Sequence, residues 1–352
     1  MSQRNGVIDV LKFFCAWLVV GSHFCYWGLS GGKFWGGLSV EFFFFVSGWL
    51  LTERADKVRN RSTALNIWKE NGKYTLHRLW GFLPYMVVAS VFSLVVTAMH
   101  NHDLPRRFFF SSLPDVIGLQ MYGFSGAYTI GTGWYISALF FGSFLLYPLL
   151  LKWKEFCVCF IAPLAVLLIY GYCYHQYGTL SAPGSWTGFG NEGLWRGLAS
   201  LSFGVLSHEA TQWLNSLSLR ESGIWFLHIL EAFCYLVFFV TASIKSCQGI
   251  EFEVVCLIWI AVTLTFSHYR VFRRIPDTSL SRALGEASFM VYLNHFYVIE
   301  AYTKLGTAWR GGLVAIFLAI IVLSILCFIL GSLIKKGVER LCGIFLQEGN
   351  NA

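Results

Sequence analysis

Residues 6–29, GVIDVLKFFCAWLVVGSHFCYWGL, form an apolar run long enough to cross a bilayer, with three ionisable residues inside it: Asp9, Lys12 and His23. An ionisable group at bilayer depth costs about 2.5–3.5 kcal/mol on insertion scales, so its retention points to an internal role. The spacing from Lys12 to His23 is about 20° beyond three full helical turns, with about 16.5 Å of rise. Both side chains therefore share one helix face, Lys12 near the inner end and His23 near the outer. Asp9 lies one turn before Lys12, in pairing range. A histidine packed between helices is the plainer reading of His23. The buried cation on the same face favours a cavity wall, for chemistry or for transport, and an imidazole suits proton transfer near neutral pH.

The rest of the chain has the same character. Its 352 residues are 56% hydrophobic and 13% charged, where a soluble domain carries about 25% charged residues. Mean hydropathy is +0.59, and the aromatic content suits interfacial belts. The expected fold is all-α, a polytopic transmembrane helix bundle. Windows of about 20 residues give about ten spans, near 7–29, 36–52, 79–99, 133–151, 156–174, 193–207, 223–243, 252–267, 283–304 and 311–334. The sixth is short and rich in Gly and Ser. No repeat is evident, and residues 1–352 read as a single membrane domain with no separate soluble domain. The first run lacks a small-residue cleavage site and is followed directly by another span, so it reads as a span rather than a cleavable signal. The cysteines lie mostly in apolar stretches and read as packing residues, Cys157 and Cys159 included.

Orientation follows from the basic residues. With the amino terminus inside, inner segments hold 18 Lys and Arg and outer segments 7, with Lys12 in the membrane. Both termini are therefore expected in the cytoplasm. That bias also accounts for the net charge of +7. The basic residues are scattered over inner loops without a recognition fold, which argues against nucleic acid as a partner.

Other candidates fall near the two membrane faces. Glu41 opens the second span, at the depth of His23, where a carboxylate can orient an imidazole or simply face headgroups. Ser47 and Gly48 allow close helix approach. Most charges of the 54–78 loop need no more than the positive-inside rule. Arg78, at the membrane boundary, is placed to clamp a phosphate from the cytoplasmic side. Ser288, Tyr292 and His295 recur on one face of the ninth span, with His295 in the outer half. His100, His102 and Asp103 in the 100–132 loop have metal-ligand chemistry, but loose loop histidines are common and no metal is expected.

These pieces in order resemble the acyltransferase 3 family, bacterial integral-membrane enzymes that O-acylate cell-surface glycans. The matching residues are Asp9-x-x-Lys12-x(10)-His23, Val40-Glu41-Phe42-Phe43-Phe44-Phe45-Val46-Ser47-Gly48, Arg78 with Pro84, Trp134-Tyr135-Ile136-Ser137, and Ser288-Phe-x-x-Tyr292-Leu-x-His295. Each motif is weak alone; their order and spacing are specific. One position departs: the family often has Arg-x-x-Arg before the third-span proline, and here the second position is Gly81. Lys73, His77 and the Arg270–Arg274 loop are the candidates to replace it.

The resemblance implies a multi-pass enzyme of the bacterial cytoplasmic (inner) membrane. It would move an acyl group, acetyl first among the candidates, from cytoplasmic acetyl-CoA to a hydroxyl of a glycan or glycolipid acceptor. In that reading His23 is the general base and Glu41 orients it. Lys12 and Arg78 contact the donor, and Trp134, Tyr135, Ser288, Tyr292 and His295 line the substrate chamber. Direct transfer needs no covalent intermediate, though an acyl-histidine route would use the same residue. The alternative is a transporter or flippase for a lipid-linked or amphiphilic solute, which intramembrane charges also fit.

Overall fold

A computed structural model describes residues 4–29, 36–61, 65–100, 113–124, 130–182, 184–244, 249–271, 277–305 and 312–350. His102, Asp103 and the side chain of His100 lie outside the described residues. Helices fill the ten expected stretches: α1 (Gly6–Tyr26), α2 (Ser39–Arg59), α3 (Ile67–His100), α4 (Trp134–Lys152), α5 (Lys154–Tyr177), α6 (Glu192–Ser216), α7 (Glu221–Ser243), α8 (Glu251–Phe266), α9 (Ser279–Leu305) and α10 (Gly312–Asn350). Among the described residues there is no strand beyond an isolated bridge between Trp186 and Asn191. Asn5 caps α1, its side chain accepting from the Val7 amide at 3.1 Å, and Asp9 follows in the first turn, where a carboxylate is favoured. A π turn at Cys157–Ile161 interrupts α5 just before Pro163, which has no amide to donate.

The expected count of ten spans is only partly met. Among the described residues, six helices are by length and composition apolar enough to cross a membrane: α1, α3, α4, α5, α7 and α10. In α2, α6 and α9 ionisable residues lower the hydropathy, and two of them, Glu41 and Arg196, are buried against each other. The hydropathy rule counts them as if they faced lipid. At 16 residues, α8 is short.

Two parallel helix pairs position the site. The first, α1 with α9, brings Asp9 against Gly285 at one end and His23 against His295 at the other. The second, α2 with α6, joins Glu41 to Arg196, Gly48 to Gly204 and Glu53 to His208 in register. At its centre a Cβ on Gly204 would lie 2.7 Å from Gly48 Cα and 3.0 Å from the Trp49 amide nitrogen. The backbones touch there, as the small residue at 48 implied. Gly204→Val should therefore cost about 1–3 kcal/mol of stability. In α3, Gly72→Ala, whose Cβ meets nothing within 4 Å, should be neutral or slightly stabilising. Unfolding midpoints in detergent check both; equal midpoints would mean that α2 and α6 do not touch at Gly204.

Candidate active site

His23 sits half-buried in the last turn of α1. Its neighbour is His295: the ring centroids are 5.1 Å apart, and Phe296 lies edge-on to His23 at 5.2 Å. His295 is fully buried. Its Nδ1 is 3.1 Å from the Val291 carbonyl oxygen. A carbonyl only accepts, so Nδ1 carries the hydrogen and Nε2 keeps its lone pair. That Nε2 is buried without a hydrogen-bond partner. A buried nitrogen left open costs free energy, and its position beside a second imidazole marks a place for a proton or a substrate hydroxyl.

The chamber wall continues along aromatic rings. Tyr292 lies 5.9 Å from His295, and Tyr135 lies 5.5 Å from Tyr292 and 4.6 Å from Phe44. Reciprocal bonds fix α9 against the start of α4: Thr132 Oγ1 donates to the Tyr292 carbonyl at 3.0 Å, and the Tyr292 hydroxyl donates to the Thr132 carbonyl at 3.2 Å. Tyr135, Tyr292 and His295 are thus brought together beside His23. Ser288 is buried and donates to the Gly285 carbonyl of its own helix at 2.7 Å.

Glu41 departs from the expectation. It is fully buried, with neither a headgroup nor His23 as its partner. Arg196 Nε donates to Oε1 at 2.6 Å, the Tyr170 hydroxyl donates to Oε2 at 2.7 Å, and Ser200 Oγ donates to the same oxygen. Arg196, 1% exposed in its side chain, also donates to Ser181 Oγ at 2.9 Å and to the Gly37 carbonyl at 3.2 Å. Its guanidinium lies 5.3 Å from the centre of the Trp134 ring. Trp134 therefore belongs to this ion pair more than to the histidines. Among the described contacts none joins Glu41 to His23, because both carboxylate oxygens are already engaged on α5 and α6. Arg196, expected as an outer positive charge, was missed as its partner. An arginine one turn inside an expected span was the available signal.

Towards the start of α1 the expected pairing holds: Lys12 Nζ is 3.5 Å from Asp9 Oδ1, and Arg4 Nε bonds Oδ2. Arg78 lines a cleft of about 520 Å³ with Glu53, Arg54, Lys57, His77 and Gly81. A Cβ at Gly81 would meet nothing within 4 Å, so the missing side chain leaves open space. The second guanidinium comes from α2. Arg54 and Arg78 both face the buried Tyr74 ring, at 5.3 and 5.7 Å from its centre. His77, one of the expected substitutes, lines the cleft, whereas Lys73 pairs with Glu70 at 2.8 Å. Behind the cleft, Lys154 Nζ lies 2.7 Å from both Asp56 and Glu209. His208 contacts Glu209 at 2.8 Å and Glu53 at 3.1 Å. Asp56, His208 and Glu209 have a metal-like grouping, but the Lys154 ammonium already supplies the cation. Burial pushes the Glu209 carboxyl up, yet hydrogen bonds from His208 and Lys154 outweigh it and hold the group below its ordinary value.

Comparisons with known proteins agree with this arrangement at the level of family. No curated protein and no solved structure matches the chain. The family model described as an acyltransferase domain matches residues 5–332, which takes in both histidines, the buried ion pair and the cleft around Arg78. The chain is a multi-pass membrane acyltransferase and belongs to the acyltransferase 3 family.

Proposed function

We propose that the protein moves an acyl group, acetyl first among the candidates, from cytoplasmic acyl-CoA to a hydroxyl of a cell-surface or lipid-linked glycan in the bacterial inner membrane. The observation that carries the reading is the imidazole pair, His23 beside the open Nε2 of buried His295. The basic cleft at Arg78 lies at the other end of the same bundle. The charge bias of the loops puts that cleft on the cytoplasmic side and the histidines in the outer half.

The chemistry is a direct displacement. The acceptor oxygen attacks the thioester carbonyl carbon while His23 takes the hydroxyl proton. The carbon–sulfur bond then breaks, and the leaving thiolate receives that proton from the imidazolium. His295 takes the orienting role expected of Glu41. Its Nε2, open in this structure, is available to accept a hydrogen bond from His23 during the reaction, which would turn the other His23 nitrogen towards the acceptor. Tyr135 and Tyr292 exclude water from the thioester. The family match supports acyl transfer over transport, the alternative that the intramembrane charges also fit.

The test compares surface glycans from cells with and without the gene by mass analysis. The expected difference is one acyl increment on a sugar hydroxyl; identical glycans would refute the acceptor class. Arg78→Ala should weaken acyl-CoA binding by about 1.5–3 kcal/mol, the range for a charge-assisted contact. It should raise KM and leave kcat nearly unchanged. An unaltered dissociation constant for CoA in purified protein would move the phosphate site away from this cleft.

A further inference from the structure

Around the two imidazoles most polar hydrogens are already spent inside the protein. The Tyr292 hydroxyl donates to the Thr132 carbonyl at 3.2 Å, Ser288 Oγ to the Gly285 carbonyl at 2.7 Å, and His295 Nδ1 to the Val291 carbonyl at 3.1 Å. The Tyr135 hydroxyl has Ser47 as its hydrogen-bond partner. Trp27 differs. Its Nε1 is buried and has no hydrogen-bond partner. An indole N–H can only donate, and a buried donor left unmade costs free energy in the resting protein. Trp27 stands four residues after His23. The turn between them is closed, its amide donating to the His23 carbonyl at 3.1 Å, so the two side chains are neighbours on one face of α1. One ring touches both. Phe296 lies edge-on to His23 at 5.2 Å and edge-on to Trp27 at 6.2 Å. Phe296 is itself seated on Gly131, where a Cβ would come within 2.4 Å of the phenyl ring. The indole is therefore held beside the imidazoles by a ring that has its own fixed seat.

Acyl transfer needs a donor of this kind. As the acceptor oxygen bonds to the thioester carbon, the carbonyl π pair moves onto the carbonyl oxygen, which becomes an oxyanion. When the carbon–sulfur bond breaks, that pair returns, and the thiolate takes from the imidazolium the proton that His23 removed from the acceptor. The two histidines handle the proton and leave the oxyanion unserved. A fixed N–H aimed at developing charge in a site closed to water is a large contribution to such a step. We propose that the Trp27 indole N–H donates to the thioester carbonyl oxygen and stabilises the tetrahedral intermediate, which makes Trp27 a catalytic residue. This rests on the acyl-transfer reading above, with His23 as base. A hydrogen bond from the indole to an oxygen of the acceptor sugar is the rival use of the same N–H.

The experiment follows thiol release from acetyl-CoA by the purified full-length protein in detergent. Surface glycan from cells lacking the gene serves as the acceptor. Trp27→Phe keeps a ring against Phe296 and deletes the N–H. It should lower kcat by about 10²–10³-fold, the range for one oxyanion donor, and leave KM for acetyl-CoA and for the glycan near the parent values. A closer isostere guards against a folding defect: 3-benzothienylalanine inserted at position 27 puts sulfur in place of the N–H at almost the same shape. It should lose kcat as Trp27→Phe does, at the parent's unfolding midpoint. Parent-like kcat in the sulfur isostere would overturn the proposal, and Trp27 would be a packing residue. A raised KM for the glycan with kcat intact would also overturn it, and assign the N–H to the acceptor sugar. If the parent protein itself releases no thiol from acetyl-CoA and acylates no glycan, the acyl-transfer reading falls and the Trp27 role with it.

Discussion

His23→Ala abolishes acyl transfer while the protein remains folded in the membrane; that is the largest effect expected on activity. His23 is half-buried and lies at the outer end of a helix that α9 holds along its length, so its loss removes a reacting group without emptying a core position. His23→Gln should be equally inactive, because an amide can hydrogen-bond but cannot take a proton. General-base catalysis contributes about 10²–10⁴-fold, so residual turnover should sit at or below 1% of the parent. His295→Gln separates the two imidazoles. If His295 orients His23, the variant should lower kcat at unchanged affinity for CoA. Near wild-type turnover of His23→Ala, at equal protein level, would remove His23 from the chemistry. Loss of activity in His295→Gln with His23→Ala still active would make His295 the base.

The largest effect on stability should come from Arg196. Its side chain and that of Glu41 are 1% and 0% exposed and 2.6 Å apart. Removing one member of a buried pair strands the other charge, at a cost of about 3–5 kcal/mol. Arg196→Ala should therefore collapse the yield of folded protein. Arg196→Met combined with Glu41→Leu should recover much of the loss, since apolar replacements of similar volume remove both desolvation penalties. Glu41→Gln keeps the shape and can keep the hydrogen bonds from Tyr170 and Ser200, but it turns an amide donor towards Arg196 and strands that charge, so it should also be destabilised. Detergent unfolding midpoints decide the order. Should Glu41→Gln slow turnover with an unchanged midpoint, the carboxylate would have a chemical role after all.

The helices were legible because the signal for a span is summed over about 20 residues and survives single exceptions. His23 was legible for the opposite reason, as a costly residue in a place where cost is noticed. The partners were not. Glu41 matched His23 in depth, but depth along two helices says nothing about which faces meet. The face of α2 that carries Glu41 turns to α5 and α6, where Tyr170, Ser200 and Arg196 wait. His295 was placed at the right depth as a substrate residue; its contact with His23 depends on α1 lying parallel to α9, a tertiary fact. Arg54 and Lys57 were obscured by their own neighbourhood. In a loop full of cytoplasmic charge, nothing local separates a topology signal from a cleft wall. Tyr74, facing both Arg54 and Arg78, brings a second guanidinium beside Arg78 where position 81 is glycine.

The three-point registry of α2 with α6 has a mechanical consequence. A rod fastened at its top by Glu41–Arg196, at its middle by backbone contact at Gly48–Gly204, and at its foot by Glu53–His208 has no free hinge. Those three fastenings resist rocking of α2 against α6, unlike the moving helices of a carrier. Arg54 and Lys57 ride on that rod. The spacing of those cations is therefore set before any ligand arrives, and under the proposed donor reading little of the binding energy goes into rearranging helices.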